Sequence, residues 1–432
     1  MTDSTVLLAS SAAVVEPNPW MILPFVAMLL SIALMPFINL HWWEHHYSKV
    51  AVALAAVTVS YYLFVLHNGE RLIGVAHEYV SFIALIGSLF VVASGIHIHV
   101  KGQATPGANC VFLLLGAILA NLIGTTGASM LLIRPWIRMN KYRATGFHIV
   151  FFIFIVSNVG GCLTPIGDPP LFLGYLKGVP FWWTLEHLSE EWAVAVLGLI
   201  AVFFVFDVVN FRKAPRAIRV KETMNETWQF NGMTNLFFLA AILGAVFIEH
   251  PIGLREVIMA AAAAGSYFAT PKAVHQSNDF TFAPIKEVAF LFFGIFGTMV
   301  PALDYLQVHA HSLGIESQRQ FYWFTGLLSG VLDNAPTYLT FLATAFGVEN
   351  LNMNVATDVA RFLEERAHHL AAISLGAVFF GAMTYIGNGP NFMVRSIAQH
   401  AKVSVPSFFG YLVKYSIPIL IPFFFIVSLV FL

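Results

Sequence analysis

The stretch LTPIGDPPLF (163–172) lies inside a long apolar run, where a helix would be expected to continue. It sets Gly167, Asp168, Pro169 and Pro170 side by side. Proline removes a backbone donor and clashes with the preceding turn, so this window cannot be uninterrupted helix. An aspartate at membrane depth is costly and is usually retained for function. The window therefore reads as a span that opens around an acid.

Composition supports a membrane setting. Of 432 residues, 58% are hydrophobic and 10% charged, against roughly 25% charged in soluble proteins. Apolar runs of about 17–25 residues recur along the chain, each long enough to cross a bilayer. The short alternating segments of an outer-membrane barrel are missing. The predicted fold class is an all-α polytopic membrane protein. Lys and Arg number 22 against 23 Asp and Glu, which gives no sign of nucleic-acid binding. Cys110 and Cys162 sit in apolar runs and read as small buried hydrophobes. The N-terminus has no Lys or Arg ahead of its apolar patch, which argues against a cleaved signal peptide. No nucleophile–base motif or soluble domain points to an enzyme, and no cofactor is expected.

Ten spans are expected near 20–40, 48–66, 79–97, 148–164, 192–209, 234–248, 254–268, 287–303, 369–384 and 411–432. Two further apolar stretches, 109–137 and 321–346, are interrupted by GTTGAS (124–129) and LDNAPT (332–337). Their halves are too short to cross, so both read as re-entrant hairpins, with non-helical backbone kept away from lipid. With that topology 16 basic residues fall on one side and 6 on the other. The richer side is the cytoplasmic one, and both termini are extracytoplasmic. The expected divisions are an N-terminal segment 1–19, a first half 20–209, a basic cytoplasmic linker 210–232 and a second half 233–432. The broken helices span 148–178 and 369–400.

The halves repeat one another. TPIGDPPLF (164–172) aligns without gaps on TYIGNGPNF (384–392), sharing Thr, Ile, Gly, Pro and Phe. By the topology above, one copy runs outward and the other inward. Inverted repeats with broken helices are the layout of many secondary transporters, with substrate held at the repeat interface near the midplane.

Four segments should then converge: 124–129, 164–170, 333–337 and 384–391. They carry Thr125, Thr126, Ser129, Thr164, Asp168, Asp333, Asn334, Thr337, Thr384, Asn388 and Asn391. Asp168 aligns with Asn388, and Asp333 approximately with Thr125, so each half contributes one acid. Two carboxylates among hydroxyls, amides and carbonyls suit a small hard cation such as sodium. A carboxylate holds a proton or a cation but not both, and that competition suffices for exchange. The plainer alternative is capping of half-helices, for which Asp168 before Pro169 is well placed. A dianion such as citrate would need bound cations for charge balance.

Other polar residues carry weaker signals. Glu287, at the start of a span, reads as a first-turn acid or a step in a proton path. His148 begins the span leading to Asp168 and is read as an interfacial hydrogen-bonding group or a pH sensor. Asp207, next to the basic linker, is expected at the interface. HWWEHH (41–46) resembles a metal cluster but fits an interfacial belt better.

At SNVGGCLTPIGDPPLF (157–172) and GVLDNAPTYL (330–339) the sequence resembles the ion transporter superfamily. The nearest groups are NhaD-type sodium/proton antiporters and citrate transporters, with arsenite permeases and the melanosomal P protein more distant. The resemblance runs from the first hairpin to the C-terminus. It implies an inverted-repeat fold, a homodimer in the lipid bilayer and elevator-type movement. Carried over by motif, it implies ion or substrate contacts at Thr125, Thr126, Ser129, Asn158, Thr164, Asp168, Asp333, Asn334, Thr337, Thr384 and Asn388. Relatives often have an acidic DN in the first hairpin, where this chain has GTTGAS and one acid fewer. The expected activity is sodium or lithium exchange for protons in a bacterial inner membrane, with coupled citrate transport as the alternative.

Overall fold

The computed structural model describes residues 16–100, 105–213 and 229–432. Residues 1–15 of the expected N-terminal segment and 214–228 of the basic linker, with Arg216, Arg219 and Lys221, lie outside the described residues, as does Lys101.

One group of helices gathers α1 (Leu23–Ile38), α2 (Leu40–Phe64), α3 (Gly69–Ser94), α8 (Asn235–Val246), α9 (Leu254–Ala269), the short α10 (Lys272–Ser277) and α11 (Ala283–His309). Asparagines start two of them. Asn39 accepts from Trp42 N at 3.0 Å ahead of α2, and Asn68 from Arg71 N at 3.2 Å ahead of α3, each satisfying an otherwise unpaired first-turn donor. The strands β1 (His97–His99) and β2 (Gln229–Asn231) pair antiparallel, His97 opposite Asn231.

The second group comprises α4 (Pro106–Met139), α5 (Gly146–Ile155), α6 (Pro169–Leu176), α7 (Trp183–Lys213), α12 (Gln318–Ser329), α13 (Asn334–Val348), α14 (Ala356–Glu365), α15 (Ala367–Phe380), α16 (Gly389–His400) and α17 (Phe408–Phe431). In α5 every side chain from Phe147 to Ile155 is buried, and in α15 nearly every one from His369 to Phe380. Helices apolar all round belong in the interior, and these two lead into the helix breaks. Apolar side chains of α1, α7 and α17 such as Leu30, Val205 and Val430 point outward, as on a surface that meets lipid tails. In α17 the stretch 412–420 is wound as π-helix and contains Pro418, a local accommodation typical of proline in a long helix.

Among the described residues, seven helices are long and apolar enough to cross a membrane, and three shorter apolar ones, Gly146–Gly161, Asn235–Val246 and Ala367–Met383, accompany them. The chain is a polytopic all-α membrane protein. Two of the short helices are the expected spans 148–164 and 369–384, cut short by the backbone breaks that follow. Elsewhere helices begin earlier than apolar runs suggest. Thus α3 starts at Gly69 and α7 at Trp183, because each first turn carries polar residues that still suit a helix.

One of the seven, α4, does not run straight. A straight helix of that length would separate its ends by about 50 Å. Instead the Asn109 and Asn140 amides exchange hydrogen bonds at 2.9 and 3.1 Å, and Phe112 stacks on Trp136 at 5.5 Å. The chain doubles back at Gly124, whose φ of 76° and ψ of 156° interrupt the helix. The second interrupted stretch returns as well. Glu349, after α13, pairs with Arg366 at 2.6 Å, and His369 donates to the Glu316 carbonyl, just before α12, at 3.0 Å. Both interrupted stretches are therefore helical hairpins.

Candidate functional site

The two hairpin tips and the two helix breaks meet at Asp168. Its carboxylate is fully buried. Thr125 Oγ1, at the first hairpin tip, donates to Oδ1 at 2.7 Å. Asn388 Nδ2, from the second break, donates to the same oxygen at 2.8 Å, and Asn334 Nδ2, from the second tip, donates to Oδ2 at 2.5 Å. The tip is locked to the break by its backbone too, Thr125 N donating to the Gly167 carbonyl at 2.7 Å.

Local chain chemistry explains the placement. Asp168 stands at the N-cap position of α6 in extended backbone, with Pro169 opening the helix. Its side chain does not cap the helix; it turns instead to three donors from other segments. Asp333 behaves differently. It precedes α13 and accepts from Ala335 N at 3.0 Å, so the capping expected for an acid at a helix start is present here. Asn388 repeats the geometry of Asp168 ahead of α16, extended and not capping, and also donates to the Ser157 carbonyl at 3.1 Å.

A second crossing lies beside the first. Asn158 Nδ2 donates to Asn391 Oδ1 at 2.8 Å, and Asn391 Nδ2 to the carbonyls of Gly381 and Thr384 at 2.8 and 2.9 Å. Two buried amide oxygens here, Asn158 Oδ1 and Asn334 Oδ1, accept no hydrogen bond. The two side chains flank Gly381, where a Cβ would lie 2.9 Å from Asn158 Oδ1 and 3.4 Å from Asn334 Nδ2. Two acceptor oxygens at the crossing are therefore left without a donor. No ion pair to Asp168 or Asp333 occurs among the described residues.

A cleft opens next to these groups. Ile86 and Phe90 of α3 and Pro284, Ile285 and Val288 of α11 form one wall; Thr126, Asp333, Asn388, Pro390 and Met393 form the other. Thr125 and Thr126 also border an adjoining hollow beside Leu85 and Gly167. None of the described lining residues is basic.

The remaining expected residues support the breaks from behind. Thr164 Oγ1 donates to the Asn121 carbonyl at 2.6 Å, and Thr384 Oγ1 accepts from the backbone N of Ile386 and Gly387 at 3.1 and 3.2 Å. Thr337 Oγ1 bonds back to the Asp333 carbonyl at 2.9 Å within its own helix. Ser129 pairs with Ser157 at 2.7 Å, one turn up the hairpin arm from Thr125. Glu287 stands apart, exposed on α11 and within electrostatic reach of Glu44 rather than the central acid. The histidines of HWWEHH bond to backbone carbonyls of their own helix, His45 to His41 and His46 to Trp42.

Asp207, expected at the interface, is fully buried inside the protein, ion-paired to Arg143 and hydrogen-bonded to Asn109 Nδ2 at 2.8 Å and His148 Nε2 at 3.1 Å. Folding back α4 brings Asn109, Arg143 and α7 together, a contact distant in sequence. His148 is thus buried in this cluster, near the start of α5 and away from the break that follows that helix. Asn121 escaped the sequence reading. Its Oδ1 accepts from Leu163 N at 2.8 Å and its Nδ2 donates to the Gly160 carbonyl at 2.6 Å. An amide one turn before a hairpin tip, in an otherwise apolar arm, was the available signal.

A multi-pass helical protein that brings two hairpin tips and two helix breaks onto one buried acid has the architecture of a membrane transporter. Residues 15–432 match the family CitMHS_2, described as "Putative citrate transport". The chain belongs to this citrate-transporter-like family. No curated protein matches it.

Proposed function

We propose that this chain is a secondary active transporter that exchanges sodium or lithium for protons by alternating access, Asp168 and Asp333 holding the cation and the proton in turn. The observation that carries this reading is the buried Asp168 carboxylate without a basic partner among the described residues. A carboxylate removed from water must be neutralised by a proton or a cation. The orphaned oxygens of Asn158 and Asn334 favour the cation, since sodium takes oxygen ligands and offers no hydrogen-bond competition. Thr125, Thr126, Ser129, Thr164, Thr337, Thr384 and Asn388 supply or support the surrounding shell.

Ten crossings, two re-entrant hairpins entering from opposite faces and extracytoplasmic termini complete the proposed topology, in a bacterial inner membrane. The halves 20–209 and 233–432 form inverted repeats, and the chain works as a homodimer whose hairpin-bearing part moves as an elevator.

The family match favours a second reading, sodium- or proton-coupled uptake of citrate. Because no basic residue lines the described cleft, citrate would enter with its charge carried by bound cations. One experiment separates the two. Proteoliposomes carrying a pH dye and a proton gradient receive sodium, lithium, potassium or citrate. Dissipation by sodium or lithium alone, lost in Asp168→Asn and Asp333→Asn, supports antiport. Accumulation of labelled citrate, with both variants still exchanging sodium, would overturn it.

A further inference from the structure

Four elements meet at the cleft, and the same four meet again at their opposite ends. On α3, Ile86 and Phe90 line the cleft, while Arg71 and Glu78 lie at the other end, the farthest of them about 28 Å away. On α11, Pro284 and Val288 line it, and Asp304 lies near the far end. Pro169 opens α6 at the cleft, and Lys177 closes that helix. Asp333 opens α13 there, and Asn354 follows its far end.

At those far ends the charged groups form one network, with Lys177 and Asp304 buried and Arg71, Glu78 and Asn354 partly so. Lys177 Nζ donates to Glu78 Oε1 at 2.6 Å and to Asn354 Oδ1 at 2.9 Å. Arg71 Nη1 donates to the same Asn354 oxygen at 3.3 Å, and its Nη2 to Asp304 Oδ1 at 2.9 Å. Tyr62 Oη donates to Asp304 Oδ2 at 2.7 Å. Tyr62, Arg71, Glu78 and Asp304 belong to the first helix group; Lys177 and Asn354 belong to the group that carries the hairpins and breaks. The interface between the groups thus holds a mostly apolar cleft at one end and is tied by ions at the other.

We infer that this network is a gate on the side away from the cleft: the Lys177–Glu78 and Arg71–Asn354 contacts hold the state seen here and part when the site turns to the opposite face. The physical basis is that buried charges cannot be left unpartnered. The contacts across the two groups therefore break together or exchange for water together, which makes the closed end a two-state element. By the count of basic residues, this end is the extracytoplasmic one. The inference does not depend on which substrate is carried.

The test reads accessibility rather than transport. In a background lacking Cys110 and Cys162, Val288→Cys on the cleft wall is labelled with a membrane-impermeant maleimide in liposomes. Glu78→Gln and Lys177→Gln should each slow labelling severalfold as the population leaves this state. Lys177→Arg and the swap E78K/K177E should restore it. Native labelling rates in folded Glu78→Gln and Lys177→Gln, or a swap that fails to restore them, overturn the gate. Should those variants not fold, E78C/K177C joined by a reducible bifunctional thiol reagent gives an independent reading. Bridged protein should label fast and lose sodium and citrate transport until reduced; transport that persists while bridged overturns the inference.

Discussion

Asp168 and Asn388 occupy the same position in the two sequence repeats, 220 residues apart, and their side chains are hydrogen-bonded to each other at 2.8 Å. The repeats meet at a position where they are chemically unequal, acid against amide. Two acids here would repel and two amides would leave no charge to carry a cation. The pair therefore unites neutral donation with one negative charge.

Asn388→Ala should weaken both the fold and the site. It removes bonds to Asp168 and to the Ser157 carbonyl, and losing a buried hydrogen bond to a charged group costs about 1–3 kcal/mol. The expected result is a lower melting temperature together with about tenfold weaker apparent sodium affinity. Unchanged sodium half-saturation in folded protein would remove Asn388 from the site.

Competition at Asp168 fixes the sign of the pH dependence. Protons and sodium claim the same carboxylate, so acidification should raise the sodium concentration needed for half-maximal exchange. The rise should approach about tenfold per pH unit where the proton form predominates. Half-saturation measured by dye response at several pH values checks this. A value independent of pH would mean that the proton and the cation bind at different groups.

Gly124→Ala should disturb the first hairpin tip. Its φ of 76° is disfavoured for side-chain-bearing residues, and an added Cβ would lie 3.1 Å from the Ile166 carbonyl. Such backbone, with positive φ and extended ψ, is nearly confined to glycine and costs other residues about 1–3 kcal/mol, and here the tip would also be pushed off the break that holds Asp168. Expected are a lower melting temperature and reduced exchange; native values for both would show that the tip tolerates the strain.

Asp207→Ala offers a contrast with Asp168→Asn. Arg143, His148 and Asn109 all bond to Asp207, and removing one member of a buried ion pair costs about 3–5 kcal/mol. The variant should be much less stable to heat, while the folded fraction keeps native sodium half-saturation. A shifted half-saturation with unchanged stability would instead join this cluster to transport.

Much of this was readable along the chain. Apolar run length announced the membrane, and Gly124, Pro169 and Pro170 marked the breaks through their backbone constraints alone. The repeat pointed to Asp168 and Asn388 as counterparts. That Asp207 would be buried was not readable, because its partners Asn109 and Arg143 come near only when α4 folds back. Nor was the network of Arg71, Glu78, Lys177 and Asp304 visible, since charges near the ends of apolar runs look alike whether they face water or one another.

Local chemistry by itself thus determined that this chain is largely helical, where two of its helices must break, and that Asp168 and Asp333 stand at those breaks. Backbone sterics and hydropathy act between near neighbours, so they are written in order along the sequence. Which groups satisfy each buried charge was decided only by the tertiary structure. Asp168 is held by residues 43, 166 and 220 positions away, and Asp333 caps its own helix. Partners so distant are chosen by how the hairpins and helices pack, and no local pattern records that choice.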